Sequence, residues 1–214
     1  MALIKITRGY IKNFLIPHYQ NDLRPIYDSI TKNCGVIKVG ATFHNYIYGY
    51  SIKAIKDLWA KLPLAHPYSY VVPNGHQRRQ FHATSKPYAP IASNPVNITT
   101  LSKCIDFEDI YEYVFNVFIS SGSLAPLTIY DTAYRIGFNM TPQILPSKFV
   151  YLAAGALNGA ECLYGRKWVI VNKDKVFSLK GKNFIRIRTS AFKQIFPGLD
   201  SVGIENVLCD FFDL

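Results

Sequence analysis

The chain has 214 residues, 49% of them hydrophobic and 14% aromatic, and carries a formal net charge of +10. That length suits one domain, or one with a smaller companion, and the apolar content supplies a sizeable core, which excludes wholesale disorder. The longest apolar runs, such as Phe149–Ala154, fall far short of the roughly 20 residues needed to span a bilayer, so no membrane partner is expected.

The N-terminus, MALIKITRGYIKNFLIPHYQ, interrupts its apolar residues with Lys5, Arg8 and Lys12 and lacks the continuous apolar region of a signal peptide, so a cytoplasmic setting is expected. Asn21–Thr31 and Ser51–Lys61 read as helices; in the second, Ile52, Ile55, Leu58, Trp59 and Leu62 recur at helical spacing behind Ser51 as N-cap. VIKVGATF between them reads as a short strand. Six prolines from Pro63 to Pro95 argue for an extended loop or a subdomain junction there. Helix resumes at Thr99–Cys104 and then Asp106–Ile119, where Phe107, Ile110, Tyr111, Val114, Phe115 and Phe118 share a face and Asp106, Glu108 and Asp109 favour the first turn. Leu127–Phe138 and Ser147–Leu163 read as further helices. WVIV, VFSL and FIRIR then read as a small β meander, followed by helices at Ser190–Phe196 and Ser201–Phe212. The expected fold is mainly α with a small β meander. Its expected organisation is a basic, aromatic N-terminal region at 1–95 and a helix–hairpin–helix-like domain at 96–214, with a β insertion at about 166–188.

Charge is unevenly distributed. Residues 1–100 hold 12 Lys/Arg against 3 Asp/Glu, whereas residues 101–214 hold 12 against 11. Within the second half, Arg166–Lys193 contains nine cations and a single acid, Asp174. Two basic regions flanking a more acidic middle favour a polyanionic partner, most simply nucleic acid. Cys34, Cys104, Cys162 and Cys209 are widely separated and form no CxxC pair, so free thiols are expected rather than disulfides or zinc.

The segment ISSGSLAPLTIYDTAYRIGF, Ile119–Phe138, ends one helix, turns through Gly122 and Ser123–Pro126, and starts another with Pro126 in its first turn, where the missing N–H costs nothing. PLTIYDTAYRIG, with LPSKFVYLAAGALNGA and the C-terminal IENVLCDFF, is similar to an uncharacterised bacterial family. Its members read GIGPLTxYDTAxRIG, then a VYLHAG-like segment and an EDFLC-like closing helix. The resemblance covers about Asp106–Leu163 and Ser190–Phe212, and the family's turn looks like the helix–hairpin–helix of base-excision glycosylases. It implies a turn whose backbone N–H groups approach a DNA phosphate. This chain has Ser123-Leu124-Ala125 in place of Gly-x-Gly, Ala153 or Ala154 in place of the family histidine, and Leu127 where a glycosylase nucleophilic lysine would stand. The glycosylase aspartate would fall in the apolar Phe149–Leu152. A Schiff-base lysine cannot be replaced by leucine and keep its chemistry, so the resemblance implies no catalytic residue.

Asp131 and Arg135 stand four apart on the second hairpin helix. Arg135 reads either as a phosphate ligand oriented by Asp131 or as half of a surface ion pair, and Asp131 also as a tie to a neighbouring helix. The expected nucleic-acid contacts are Gly122, Ser123, Ala125, Thr128 and Arg135 at the hairpin, and Lys175, Lys180, Lys182, Arg186 and Arg188 on the meander, where FIRIR places apolar and cationic residues on opposite faces. A second anion site is expected at His76, Arg78, Arg79 and His82, with no metal and no cofactor. Three functions remain open: a non-catalytic nucleic-acid backbone binder, an assembly subunit with a protein partner or a second copy of itself, or an enzyme using His76, Arg78, Arg79 and His82 on a phosphate-containing substrate, for which no complete acid–base set is seen.

Overall fold

The computed structural model describes residues 8–48, 89–122, 125–174, 177–179 and 182–212. The expected helix Ser51–Lys61 and most of the proline-rich stretch lie outside them. The fold is mainly helical with a small antiparallel sheet, as the sequence predicts.

A helical run, already helical at 8–10, passes through a π-helical turn, Ile11–Leu15, then Ile16–His18 and a second π turn, Tyr19–Leu23, and continues as α1, Arg24–Lys32. Each π turn ends two residues before a proline, Leu15 before Pro17 and Leu23 before Pro25. Ile16 donates to the Ile11 carbonyl ahead of Pro17, and Arg24 donates to the Tyr19 carbonyl ahead of Pro25. Proline removes a donor and crowds the preceding turn, and the wider π turn is where the helix absorbs that. The sequence reading places a helix only at Asn21–Thr31 and so misses the first half of the run.

Next come α2 (Phe43–Tyr48), α3 (Ala89–Ala92), α4 (Ile98–Leu101), α5 (Phe107–Ser120) and α6 (Pro126–Phe138). They are followed by β1 (Phe149–Leu152), α7 (Ala154–Tyr164), α8 (Arg166–Asn172), β2 (Phe177–Leu179), β3 (Lys182–Arg188), a 3-10 turn at Thr189–Phe192 and α9 (Ser201–Phe212). The sheet order is β1-β3-β2, antiparallel throughout.

Four expected elements differ; of these the helix expected at Ser190–Phe196 is only a 3-10 turn, Thr189–Phe192. VIKVGATF forms no strand beyond one bridge, Thr42 to Pro95, because Gly35 and Gly40 sit at φ +89° and +82° and end any extended run. The start of the expected helix Ser147–Leu163 is strand β1, whose aromatic and β-branched FVYL pairs with β3 before the helix begins at Ala154. WVIV is helical within α8, where Trp168 stacks on Tyr164 with ring centroids 4.1 Å apart; this packing overrides the local β preference.

The chain forms two compact units, one made of Met1–Pro25 and Pro146–Leu214 and the other of Ile26–Leu145. This differs from the boundary expected at residue 95. In the continuous unit α6 is the central helix: every residue from Thr128 to Gly137 is buried, so the helix is enclosed all round. It packs on α5, where Phe107, Ile110, Val114 and Phe118 of the expected apolar face are buried while Tyr111 and Phe115 are only half-buried, and on α2. Phe107 meets the Tyr130 ring edge-on at 6.1 Å.

In the discontinuous unit, α9 lies against α7 and the π-helical turns. The α7–α9 approach is close enough that a Cβ on Gly159 would fall 1.9 Å from the Leu208 carbonyl oxygen. Asp200 accepts from the Gly203 N–H at 2.7 Å, as an N-cap does, and its other oxygen pairs with Arg24 at 2.8 Å.

Candidate nucleic-acid interface

The hairpin is present as two helices and a turn. α5 starts from a reciprocal capping box: the Asp106 side chain accepts from the Asp109 N–H at 3.2 Å, and Asp109 accepts from the N–H groups of Ile105 and Asp106. The helix closes at Ser121 and Gly122, which is exposed at φ +75°. α6 begins at Pro126 behind half-buried Ala125, which supplies no side-chain cap. Ser123 lies outside the described residues.

The other two expected hairpin contacts are corrected by burial. Thr128 is 8% exposed and Arg135 is 3% exposed. Arg135 donates from Nη1 to the carbonyl oxygens of Tyr46 at 2.9 Å and Ile47 at 2.7 Å. These carbonyls belong to α2, near the end of its described residues. Asn139, four residues on, donates to the Thr31 carbonyl at the end of α1 and back to that of Arg135, both at 2.8 Å. Arg135 and Asn139 thus bind the ends of two other helices to α6. In YDTAYRIGFN, then, Arg135 serves the fold and not a phosphate.

The same burial acts on neighbouring groups. Desolvation raises the Cys34 thiol pKa, and the Arg135 charge opposes that only partly. Desolvation, with a smaller contribution from Cys34, pushes the Tyr46 hydroxyl up to about 12, and that hydroxyl donates to the Gly35 carbonyl at 3.1 Å.

The meander residues divide. Lys175 and Lys180 lie outside the described residues, as do His76, Arg78, Arg79 and His82 of the expected anion site. Lys182 opens β3, paired with Leu179. Arg186 and Arg188 alternate with Ile185 and Ile187 along β3, opposite Tyr151 and Phe149 of β1. Both guanidinium groups lie over the Phe149 ring, Arg186 at 4.2 Å and Arg188 at 5.5 Å from its centroid, within cation–π range. Arg186 is half-buried and directs Nε and Nη2 at one oxygen, Oδ2 of Asp174, each at 2.9 Å. Burial alone would lower its pKa, but hydrogen bonds with Tyr151 and Asp174 outweigh this and raise it. Arg188 is exposed.

The roles of Phe149 and Asp174 were missed because Phe149 was read as helical and Asp174 as a lone acid in a turn. The available signal was FVYL, a four-residue aromatic and β-branched run following Pro146 and Ser147.

On the other unit, an open groove of 670 Å³ runs along the outer face of α5, lined by Lys103, Ile105, Glu112, Tyr113, Asn116 and Val117 among others. Among the described residues, no three His, Cys, Asp or Glu side chains gather as metal ligands would, and no helix is long and apolar enough to cross a membrane. No protein-family model, curated protein or solved structure matches the chain.

Proposed function

We propose that the chain is a non-catalytic nucleic-acid-binding protein that holds the phosphate backbone through the cationic side of the β1–β3–β2 sheet, with the hairpin as scaffold. The observation that carries this reading is the pair of arginines on alternate positions of β3, both over one aromatic ring. They lie in a unit with 14 Lys/Arg against 7 Asp/Glu, compared with 10 against 7 in the other unit. A strand that projects guanidinium groups at a fixed spacing suits phosphate oxygens, which arginine grips with its planar fork. Such contacts position a backbone without reading bases, so binding is steeply salt-dependent and nearly blind to sequence. Because Arg135 and Thr128 are buried, the hairpin contributes at most the backbone around Gly122.

Fluorescence anisotropy with labelled DNA and RNA oligonucleotides, titrated with salt, tests this reading. Binding that weakens linearly on a log–log plot, with similar affinity for scrambled sequences, supports it. Absence of binding to both nucleic acids at about 50 mM salt overturns it.

A second reading, a protein-contact role, is favoured by Ile105, which stands 89% exposed on the rim of the α5 groove. Light scattering on the isolated chain and affinity capture of a stoichiometric partner, lost in Ile105→Asp, would support that reading over the first.

A further inference from the structure

Building on the nucleic-acid reading, we propose that Arg186 and Arg188 form a two-arginine phosphodiester site and that Asp174 occupies it internally, as a stand-in that the ligand displaces from Arg186.

The geometry is that of an occupied anion site. Nε and Nη2 of Arg186 converge side-on at 2.9 Å upon a single oxygen, Asp174 Oδ2, as an arginine fork meets an oxygen of phosphate. The Asp174 backbone is fixed to the same strand, its N–H donating to the Arg186 carbonyl at 2.9 Å, and Lys173 bridges Ile187. The carboxylate is therefore delivered to the guanidinium by a very short tether, which gives it a high effective concentration. The pair is nevertheless reachable from solvent, with side chains 24% and 30% exposed, and ion pairs of that kind are weak and salt-screened.

Arg188 is different. Among the described residues no carboxylate pairs with it, and it stands exposed two positions along the same strand. The Phe149 ring, 7% exposed, sits beneath both cations and holds them on one platform. One face thus carries an open arginine beside a masked one. Arg188 makes first contact, and a second oxygen or the next phosphate takes the place of Asp174 on Arg186. Asp174 thereby sets a threshold: only an anion held at two points competes with a tethered carboxylate.

The test uses the full chain and a labelled single-stranded DNA oligonucleotide, with anisotropy measured across about 50 to 200 mM salt. D174N is expected to tighten binding about three- to five-fold and to steepen the log–log salt slope by about 1, because one more phosphate contact becomes available. R188A is expected to weaken binding and flatten the slope by about 1. R186Q breaks the same ion pair from the other end and must weaken binding; a pair that served only to hold the ribbon would make D174N and R186Q behave alike. E161Q supplies the same change in net charge away from the site and must leave affinity within about two-fold of wild type. The proposal is overturned if D174N binds no tighter than wild type, if E161Q tightens binding equally, or if R186Q and D174N shift affinity in the same direction. Wild-type binding with a steep slope alongside any of those results leaves the nucleic-acid reading standing without the internal competitor. If neither wild type nor D174N binds at the lowest salt, both fall. Binding by D174N alone keeps the competitor and overturns constitutive binding by the wild type.

Discussion

Nη1 of Arg135 lies 2.7 Å from the carbonyl oxygen of Ile47, so a buried cation on α6 closes the last turn of α2, 88 residues earlier in the chain. A buried charge is tolerable only when hydrogen-bonded, and here the acceptors are two backbone carbonyls of α2. Arg135→Met should therefore cost about 3 kcal/mol by urea unfolding, since it strands two carbonyls in a dry site. Arg135→Lys should cost about half as much and leave the salt slope of oligonucleotide binding unchanged, as expected of a residue outside the interface.

Asp106 and Asp109 satisfy each other's backbone at the start of α5. Asp106→Ala should lose about 1 kcal/mol, and Asp106→Asn, which keeps the acceptor, only a few tenths. The double variant Asp106→Ala with Asp109→Ala should lose less than the sum of the two single variants, because the caps are reciprocal. Thermal melts of all four proteins check this.

Gly159→Ala and Gly122→Ala add the same methyl group to opposite situations. At Gly159 the new Cβ would meet backbone, the Leu208 carbonyl oxygen, which cannot swing aside. At Gly122 it would meet nothing within 4 Å, and the penalty is only that of φ +75°. The first variant should lose about 3 kcal/mol and the second about 1, measured by denaturant midpoints at constant m.

The thiols should react in an order set by burial. Cys162 is exposed, whereas burial raises the pKa of both Cys104 and Cys34, with Asp109 and Asp106 adding to the effect at Cys104. With a maleimide or disulfide reagent near neutral pH, native protein should lose Cys162 first and Cys34 last, Cys34 reacting fully only after unfolding. Tyr46 adds an alkaline limb. Its folded pKa of about 12 lies above the usual value of 10, so the unfolded chain releases its proton first. Stability is thus intact below pH 10 and falls as pH rises toward 12. Tyr46→Phe should flatten that fall while lowering stability at neutral pH by about 1 kcal/mol through the lost bond to Gly35.

The helices Phe107–Ser120 and Pro126–Phe138 were legible in the sequence almost to the residue, because their signals are local. Asp106 caps, Phe107, Ile110, Val114 and Phe118 repeat at helical spacing, and Pro126 opens the next helix. The fate of Arg135 was not legible. An Asp and an Arg four apart look alike on a surface helix and on an enclosed one, and what encloses α6 comes from residues such as Thr31, Tyr46 and Ile47 far back in the chain. Phe149–Leu152 was obscure for a related reason. A four-residue apolar run suits either a buried helix or a strand until its partner is known, and that partner, Ile185–Arg188, lies more than thirty residues on. The alternation in FIRIR was legible, whereas the acid that Arg186 holds was not.

The unit that carries the sheet is assembled from two separated stretches, Met1–Pro25 and Pro146–Leu214, with Ile26–Leu145 entering between them. On a ribosome the continuous unit has its full complement of residues while the two-stretch unit still awaits α9 and the Asp200 that Arg24 pairs with. The π-helical turns of the first stretch must therefore keep Ile11, Leu15, Tyr19 and Leu23, all buried in the finished protein, out of unwanted associations until α9 has been made. A rearranged chain in which Pro146–Leu214 runs directly into Met1–Pro25 would make the two-stretch unit contiguous, and its refolding should be faster than that of the natural order, since the longest loop no longer has to close first.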